Sequence, residues 1–442
     1  MAGLALFIGH VELAGRLLSL LTGVASLWLF WRIAQSLYSE MAANLSLLVF
    51  ALYSLQIAYS TTSSSEAPFL FFVLGGLLCF LRYQSSGQVG WIGLSGISLT
   101  MSSAIRYEGW ILIFGIGVVL FGSAVKEVSH NSKKSQLLAG GLGVFCLTAG
   151  LWPVFWMSYS WLKWKNPLYI VAMNHAHVAN ALGASSTSAL YLLMVYPGAL
   201  FLTLSPIGFA GALYALRLSL RETMGRSVAF LVVLLALVQL YQVSSGGVMP
   251  FARYTMTLGT LMAIMSGQGL EILQHRWFPK SAPVFTAWAA IILALNLTAL
   301  CVMGSVQSRF RQKFASVSPL IEFSGYLKDA AVNLRHRIGP DDAVVIDNYN
   351  VQSNLVQAAA SLPLVTDRVF SVAAEQPENL RSDLYAFFKT KHPKYLVYSD
   401  QGTLRPYLGL PGGCPSKPIL RDNMQFRCFY ANKIYSLYVI NY

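Results

Sequence analysis

The sequence predicts a mostly α-helical membrane protein, a polytopic helix bundle of about ten transmembrane helices followed by a small extracytoplasmic α/β domain. The first observation is composition: 55% of the 442 residues are hydrophobic and 11% are charged, whereas a soluble domain carries about 25% charged residues. The second is a split along the chain, because no aspartate precedes Asp329 and residues 304–442 hold 27 of the 49 charged residues. We therefore expect a membrane domain at 1–303 and a soluble domain at 304–442, and we exclude a soluble cytosolic enzyme.

The membrane domain is predicted from apolar runs of about 15–25 residues, near the length that crosses a bilayer core. The predicted helices span residues 17–38, 41–60, 66–82, 89–105, 109–125, 136–159, 187–216, 226–244, 251–273 and 282–303. Pro206 is expected to kink the long seventh helix, since proline removes a backbone donor and crowds the preceding turn.

The loop charges predict the orientation. One set of loops carries ten lysines and arginines, and the alternate set before residue 304 carries five. The positive-inside rule places the first set in the cytoplasm, so the N-terminus and the C-terminal domain are expected on the outer side. The formal net charge of +13 is not gathered into basic runs with interleaved aromatic residues, and no nucleic-acid partner is expected.

The C-terminal domain is predicted from alternating and amphipathic patterns. The expected elements are a helix at 319–337, a strand at Ala343–Asp347, a helix at 376–390, a strand at Tyr395–Ser399, and a closing hairpin of Gln425–Tyr430 with Lys433–Ile440. Cys414 and Cys428 fall in this domain, where an oxidising compartment would permit a disulfide. Their spacing alone leaves the pairing open, and no Cys/His spacing resembles a zinc site.

Ionisable groups near lipid are costly, and those on the outer side are therefore candidates for function. They form five clusters: His10 to Glu12 with Arg16, Ser60 to Glu66, Arg106 to Trp110, the loop Trp161–Thr187 with Lys163, Lys165, His175 and His177, and Gly246 to Arg253 and Tyr254. Cations and glutamates gathered above a helical bundle suit an anionic lipid head group, which arginine and histidine bind through charge-assisted hydrogen bonds. Metal binding is a weaker explanation for the two histidines than loop packing, because positions i and i+2 share a face only in an extended segment.

Each cluster also has a purely structural explanation. Glu66 could complement the dipole of a helix that a serine-rich turn caps. Arg106 and Glu108 could form an interfacial ion pair, and Arg253 could snorkel from the start of a helix to the membrane surface.

The clusters also resemble the GT-C superfamily of polyprenyl-phosphate-sugar-dependent glycosyltransferases, of the protein O-mannosyltransferase and lipid A aminoarabinose transferase type. The similar segments are Glu12 to Gly23, Tyr59 to Phe69, Arg106 to Trp110, Lys165 to Tyr169, and Arg253-Tyr254 before a late helix and an outer α/β domain. Each motif is short, but together they span most of the chain.

The resemblance implies an inverting transfer of a sugar from a polyprenyl-phosphate donor to an acceptor hydroxyl on the outer face of the membrane. Arg253 and Arg106 would hold the phosphate, Tyr254 lies beside them, and Lys165, His175 and His177 would assist. Glu66 and Glu108 would orient the acceptor or the sugar. No cofactor is expected with certainty, and a divalent cation is left open, since some members of the superfamily use one. A bacterial inner membrane is the expected location.

One departure concerns the catalytic base. In the superfamily this base is usually an acidic residue, commonly aspartate, in the first outer loop after a first transmembrane helix. The resemblance therefore implies that this helix and most of that loop are missing from the sequence or that the base has been lost, with Glu12 as a substitute. Two alternative functions stay open: a non-catalytic lipid-binding or scaffold member of the same fold, and a polytopic transporter.

Overall fold

The computed structural model describes much of the chain. The described residues are 11–128, 132–169, 171–173, 189–219, 223–245, 252–277, 287–288, 290–295, 298, 329–339, 341–347, 368–371, 380–399, 402, 404–421, 423–432 and 435–442. The chain divides into two compact units, one comprising Gly15–Val317 and the other including Ser318–Tyr442. The predicted boundary between 303 and 304 stays a prediction.

The first unit is a bundle of apolar helices. In chain order they are α1 (Val11–Leu37), α2 (Glu40–Ala51), α3 (Ser54–Thr61), α4 (Glu66–Ser86), α5 (Val89–Ile105), α6 (Glu108–Val128), α7 (Ser132–Ala149), α8 (Leu151–Trp164), α9 (Ala189–Thr203), α10 (Pro206–Ser219), α11 (Thr223–Ser244) and, after a 3-10 turn at Ala252–Thr255, α12 (Met256–Trp277). The predicted segments 17–38, 66–82, 89–105, 109–125, 226–244 and 251–273 each correspond to one of these helices.

Three predicted spans are bent pairs of helices. The chain turns by 57° between α2 and α3, by 48° between α7 and α8, and by 113° between α9 and α10. The last bend precedes Pro206, as expected, and Ser205 there has a φ of 70°. Among the described residues, α1, α4, α6 and α11 are each long and apolar enough to cross a membrane, and the number rises to seven if every bent pair is one span. The tenth predicted helix, 282–303, lies largely outside the described residues.

The bundle core is closed by small residues at helix crossings. A Cβ at Gly267 of α12 would collide with the backbone of Ala42 and the hydroxyl of Ser46 in α2. That close approach lets the Ser46 hydroxyl donate to the carbonyl of Ile264 (2.7 Å) and accept from the amide of Gly267 (3.1 Å). Small residues and hydroxyls at such crossings are typical of helices that pack inside a membrane.

The second unit carries a six-stranded sheet in the order β2-β1-β3-β6-β5-β4. Its elements are β1 (Val344–Ile346), β2 (Val369–Ser371), α13 (Leu380–Lys391), β3 (Tyr395–Tyr398), α14 (Arg405–Leu408), β4 (Ile419–Arg421), β5 (Met424–Ala431) and β6 (Ser436–Asn441). Strands β2, β1 and β3 are parallel, and β3, β6, β5 and β4 pair antiparallel. The small α/β fold is confirmed, including the β5–β6 hairpin.

The remaining expectations for this unit are met in part. Of the predicted helix at 319–337, residues 329–335 are helical and 319–328 lie outside the described residues. Strands β2 and β4, of three residues each, were not predicted. Cys414 and Cys428 form a disulfide, with their Cα atoms 5.2 Å apart. Their spacing in the sequence leaves this pairing open.

Candidate functional site

Polar side chains of the first unit meet where several helices begin or end. Helix α4 begins at Glu66, α5 ends just before Arg106, and α6 begins at Glu108. The 3-10 turn that precedes α12 brings Arg253 and Tyr254 to the same place, because the guanidinium carbon of Arg106 lies 5.6 Å from the centre of the Tyr254 ring. We call these five residues the arginine–glutamate site.

The serine-rich turn before α4 positions Glu66. The amide of Ser64 donates to the hydroxyl of Ser19 in α1 (3.2 Å), and that hydroxyl donates back to the Ser64 carbonyl (3.1 Å). Ser65 occupies the N-cap of α4 but makes no capping hydrogen bond through its side chain. The turn is thus tied to α1, and Glu66, only 5% exposed, begins the helix inside the bundle.

The α5–α6 junction positions Arg106 and Glu108. The amide of Arg106 donates to the Ser102 carbonyl (2.9 Å) at the end of α5, and its carbonyl accepts from the amide of Gly109 (3.1 Å). A Cβ at Gly109 would lie 2.7 Å from the backbone nitrogen of Ser103. Only glycine permits the two helices to approach so closely, and the tight turn directs both charged side chains inward.

Arg106 bridges the two glutamates. Its Nη1 donates to Glu66 Oε1 at 2.6 Å and its Nη2 to Glu108 Oε1 at 2.7 Å, while Nε lies 3.2 Å from both carboxylate oxygens of Glu108. The side chains of Arg106, Glu66 and Glu108 are 12%, 7% and 13% exposed. Because partial burial weakens screening by water, this three-residue group interacts far more strongly than a surface ion pair.

Two aromatic rings, those of Phe69 and Tyr254, lie beside Arg106 in the triad of Arg106, Glu66 and Glu108. The Tyr254 ring lies 5.6 Å from the guanidinium carbon of Arg106 and 5.2 Å from that of Arg253, so one ring contacts both cations. The side-chain amide of Gln239 in α11 donates to the Tyr254 carbonyl at 2.6 Å and fixes the 3-10 turn.

Two tyrosines that were not predicted join the site. Tyr59 in α3 is within electrostatic range of Glu66, Arg106 and Arg253. Tyr196 in α9 is within range of Glu108, Arg253 and Tyr254. Tyr59 stands in the quoted motif before the serine turn, but Tyr196 lies in an apolar helix without any local polar pattern.

The site carries two arginines and two glutamates, so its formal charge is zero. Arg106 alone leaves the triad with one negative charge, which Arg253 balances. A divalent cation does not fit between Glu66 and Glu108, because one guanidinium already occupies that position. Within the described part of the chain, no three metal-ligating side chains of His, Cys, Asp or Glu come together. The arrangement places a second guanidinium, that of Arg253, near a rigidly held Arg106, and both are groups that can donate charge-assisted hydrogen bonds to an anion.

The structure thus brings together Glu66, Glu108, Arg106, Arg253 and Tyr254. Lys165 is not among these residues, because it is exposed at the C-cap of α8. His175 and His177 lie outside the described residues, as does the side chain of Glu12 in the first turn of α1. Their predicted roles stay predictions.

The fold has similar counterparts among solved membrane proteins. The structure is similar to that of ArnT from Cupriavidus metallidurans in the apo state, with a TM-score of 0.55 and 13% identity over 96% of this chain and 83% of that one. It is also similar to the apo oligosaccharyltransferase of Archaeoglobus fulgidus, with a TM-score of 0.50, 14% identity and 87% of this chain covered. The chain spans 58% of the length of that archaeal enzyme. These similarities show the fold, which is the GT-C fold that the predicted resemblance implies.

A more particular similarity comes from the sequence. Residues 1–152 match the family model described as dolichyl-phosphate-mannose-protein mannosyltransferase. The matched region contains the whole triad, while Arg253 and Tyr254 lie beyond it. No curated protein sequence matches the chain significantly. The chain is accordingly an integral membrane protein with the GT-C fold, similar over its first third to this mannosyltransferase family.

Proposed function

We propose that this protein is an inverting membrane glycosyltransferase that moves a sugar, of the hexosyl or mannosyl type, from a polyprenyl-phosphate donor to an acceptor hydroxyl. The observation that carries the proposal is the buried Arg106–Glu66–Glu108 triad beside Arg253, in a GT-C fold whose first 152 residues match a dolichyl-phosphate-mannose-dependent family. A membrane-embedded cation beside a rigid polar cluster is a suitable binding site for a lipid phosphate.

In this mechanism Arg253 stabilises the negative charge that develops on the departing lipid phosphate. Fixed positive charge aimed at a leaving group is among the largest contributions to catalysis. Arg106 contributes a second cation. Carboxylates engage three of its five N–H groups, which leaves one on each terminal nitrogen for the phosphate.

Glu66 and Glu108 act mainly on Arg106. Each accepts a charge-assisted hydrogen bond of 2.6–2.7 Å from it, so the pair orients the guanidinium, and the carboxylate oxygens keep lone pairs for sugar or acceptor hydroxyls. Inversion requires a base on the side of the sugar opposite the phosphate. Glu12 stays the candidate for that base.

The transfer is proposed on the outer face of the membrane, in a bacterial inner membrane, with the C-terminal domain on the same side. The support is the loop-charge bias: Arg32, Arg82, Arg217 and Arg276 fall at the bundle end opposite the site, which the positive-inside rule assigns to the cytoplasm.

The test is transfer by the full-length protein in phosphatidylcholine vesicles, supplied with polyprenyl-phosphate-mannose and a hydroxyl acceptor on one side of the membrane. We expect release of polyprenyl phosphate and a product with the opposite anomeric configuration. Arg253→Ala should lower turnover by about 100-fold or more, as loss of one transition-state donor does. Arg253→Lys should retain part of it, and Arg276→Ala is the matched control at the opposite bundle end. Unchanged activity in both Arg253→Ala and Glu66→Gln would refute the site.

A second function is favoured by one observation: both buried glutamates are committed to Arg106. A non-catalytic lipid-binding protein would need just this arrangement, an anion seat without a free base. It predicts saturable binding of the donor, lost in Arg253→Ala, with no sugar transfer in any combination of acceptor and orientation. Transfer of intact donor across the vesicle membrane would instead support the transporter alternative.

A further inference from the structure

We propose that a basic cleft at the opposite end of the bundle binds the phosphate of an anionic membrane lipid. The cleft has a volume of about 360 Å³, and its lining residues are Arg32, Gln35, Ser36, Glu40, Leu78 and Arg82. A cavity of that size holds a small ligand head group.

The cleft is separate from the arginine–glutamate site. Helix α4 begins at Glu66, in that site, and ends at Ser86, just after Arg82. At 1.5 Å per residue its 21 residues span about 30 Å, the thickness of a bilayer core. The two sites therefore lie at opposite surfaces of the membrane, and the cleft faces the side that loop charges assign to the cytoplasm.

Neutral partners hold both arginines of the cleft. Arg32 donates from Nη1 to Gln35 Oε1 at 3.3 Å, and the guanidinium carbon of Arg82 lies 4.6 Å from the centre of the Trp91 ring. Within the described residues, neither guanidinium lies within 4.0 Å of a carboxylate. With Glu40 as the only acidic lining residue, the cleft has a formal charge of +1, which matches a phosphodiester.

The surface beside the cleft favours a lipid as the source of that phosphate. Leu21, Val24 and Trp28 precede Arg32 at steps of three or four residues, so the four share one face of α1. The three apolar side chains are 66%, 59% and 57% exposed. Acyl chains can lie along this face while the head group occupies the cleft, and basic pockets between membrane helices on the cytoplasmic side bind anionic lipids in this way.

The experiment measures lipid binding to the full-length protein by native mass spectrometry, with phosphatidylglycerol titrated against phosphatidylcholine. We expect a preference for phosphatidylglycerol that falls about fivefold for Arg32→Ala or Arg82→Ala and on the order of 25-fold for both. Arg217→Ala/Arg276→Ala removes the same charge from exposed positions at the same bundle end and should leave the preference unchanged. Glu40→Gln should strengthen it, a gain that misfolding could not produce.

Two further measurements test whether the phosphate comes from a lipid and whether the cleft itself binds it. Inorganic phosphate added to protein in phosphatidylcholine should not displace phosphatidylglycerol; displacement would overturn the lipid source. An equal loss of preference in the Arg217→Ala/Arg276→Ala protein would show a general surface-charge effect and overturn the cleft. So would a wild-type protein without any preference for the anionic lipid.

Discussion

Replacing Arg106 with methionine tests whether the triad is paired inside the membrane protein. Methionine keeps much of the length and volume of arginine and removes its charge. The change leaves Glu66 and Glu108 facing each other with side chains only 7% and 13% exposed. Breaking a buried ion pair by removing one partner costs about 3–5 kcal/mol. We expect the free energy of unfolding to fall by that amount, measured by equilibrium unfolding in mixed detergent–SDS micelles.

A double-mutant cycle separates the charge effect from lost packing. Glu66→Gln in the Arg106→Met background removes one of the two uncompensated charges, and residues in direct contact couple by about 0.5–3 kcal/mol. We expect a coupling energy in the upper half of that range, because the Arg106–Glu66 contact is 2.6 Å long and nearly buried.

The control is Arg217→Met, at an exposed arginine in the last turn of α10. A surface change of this kind should alter the free energy of unfolding by less than about 0.5 kcal/mol. If Arg106→Met costs no more than this control, or if the effects of the changes at Arg106 and Glu66 on the free energy of unfolding simply add, the triad does not stabilise the protein.

Two other predictions concern the α5–α6 junction and the C-terminal unit. Gly109→Ala should lower both the stability of the protein and its transfer activity, because the new Cβ would lie 2.7 Å from the Ser103 nitrogen. Gly117→Ala on the same helix is the control, since a Cβ there meets no atom within 4 Å and should be tolerated. Thermal unfolding of the two variants measures the difference. Cys414→Ser should destabilise the C-terminal unit by about 3 kcal/mol, the value expected for a closed loop near 15 residues, and the freed Cys428 should react with a thiol reagent during limited proteolysis of the full chain.

The sequence predicts membrane helices well but not where they break. Apolar runs report the total length of a span, and a break inside a run leaves its composition unchanged. The bend before Pro206 was expected because proline disrupts a helix locally. The 57° bend between α2 and α3 falls at Leu52 and Tyr53, residues that carry no such signal.

The same limit applies to the site. The pairing of Arg106 with Glu108 follows from neighbouring positions and was foreseen as one explanation. The pairing of Arg106 with Glu66 joins residues 40 positions apart, and the alternative of a side-chain serine cap above Glu66 is not what the structure shows, since Ser65 makes no such bond. Tyr196 comes from a third region of the chain and had no sequence signal at all.

The pairing in the triad constrains the chemistry of any transfer. A general base needs a carboxylate able to take a proton from the acceptor, whereas Glu66 and Glu108 each accept a short hydrogen bond from a guanidinium that stays protonated at any physiological pH. Protonating either one would weaken its short charge-assisted hydrogen bond to Arg106, which opposes the reaction. The two glutamates are therefore suited to holding Arg106 in place, and a carboxylate outside the triad is the better candidate for the base. Glu12 stays the candidate for that carboxylate, and a Glu12 that acts as a base would favour the transferase over the lipid-binding protein.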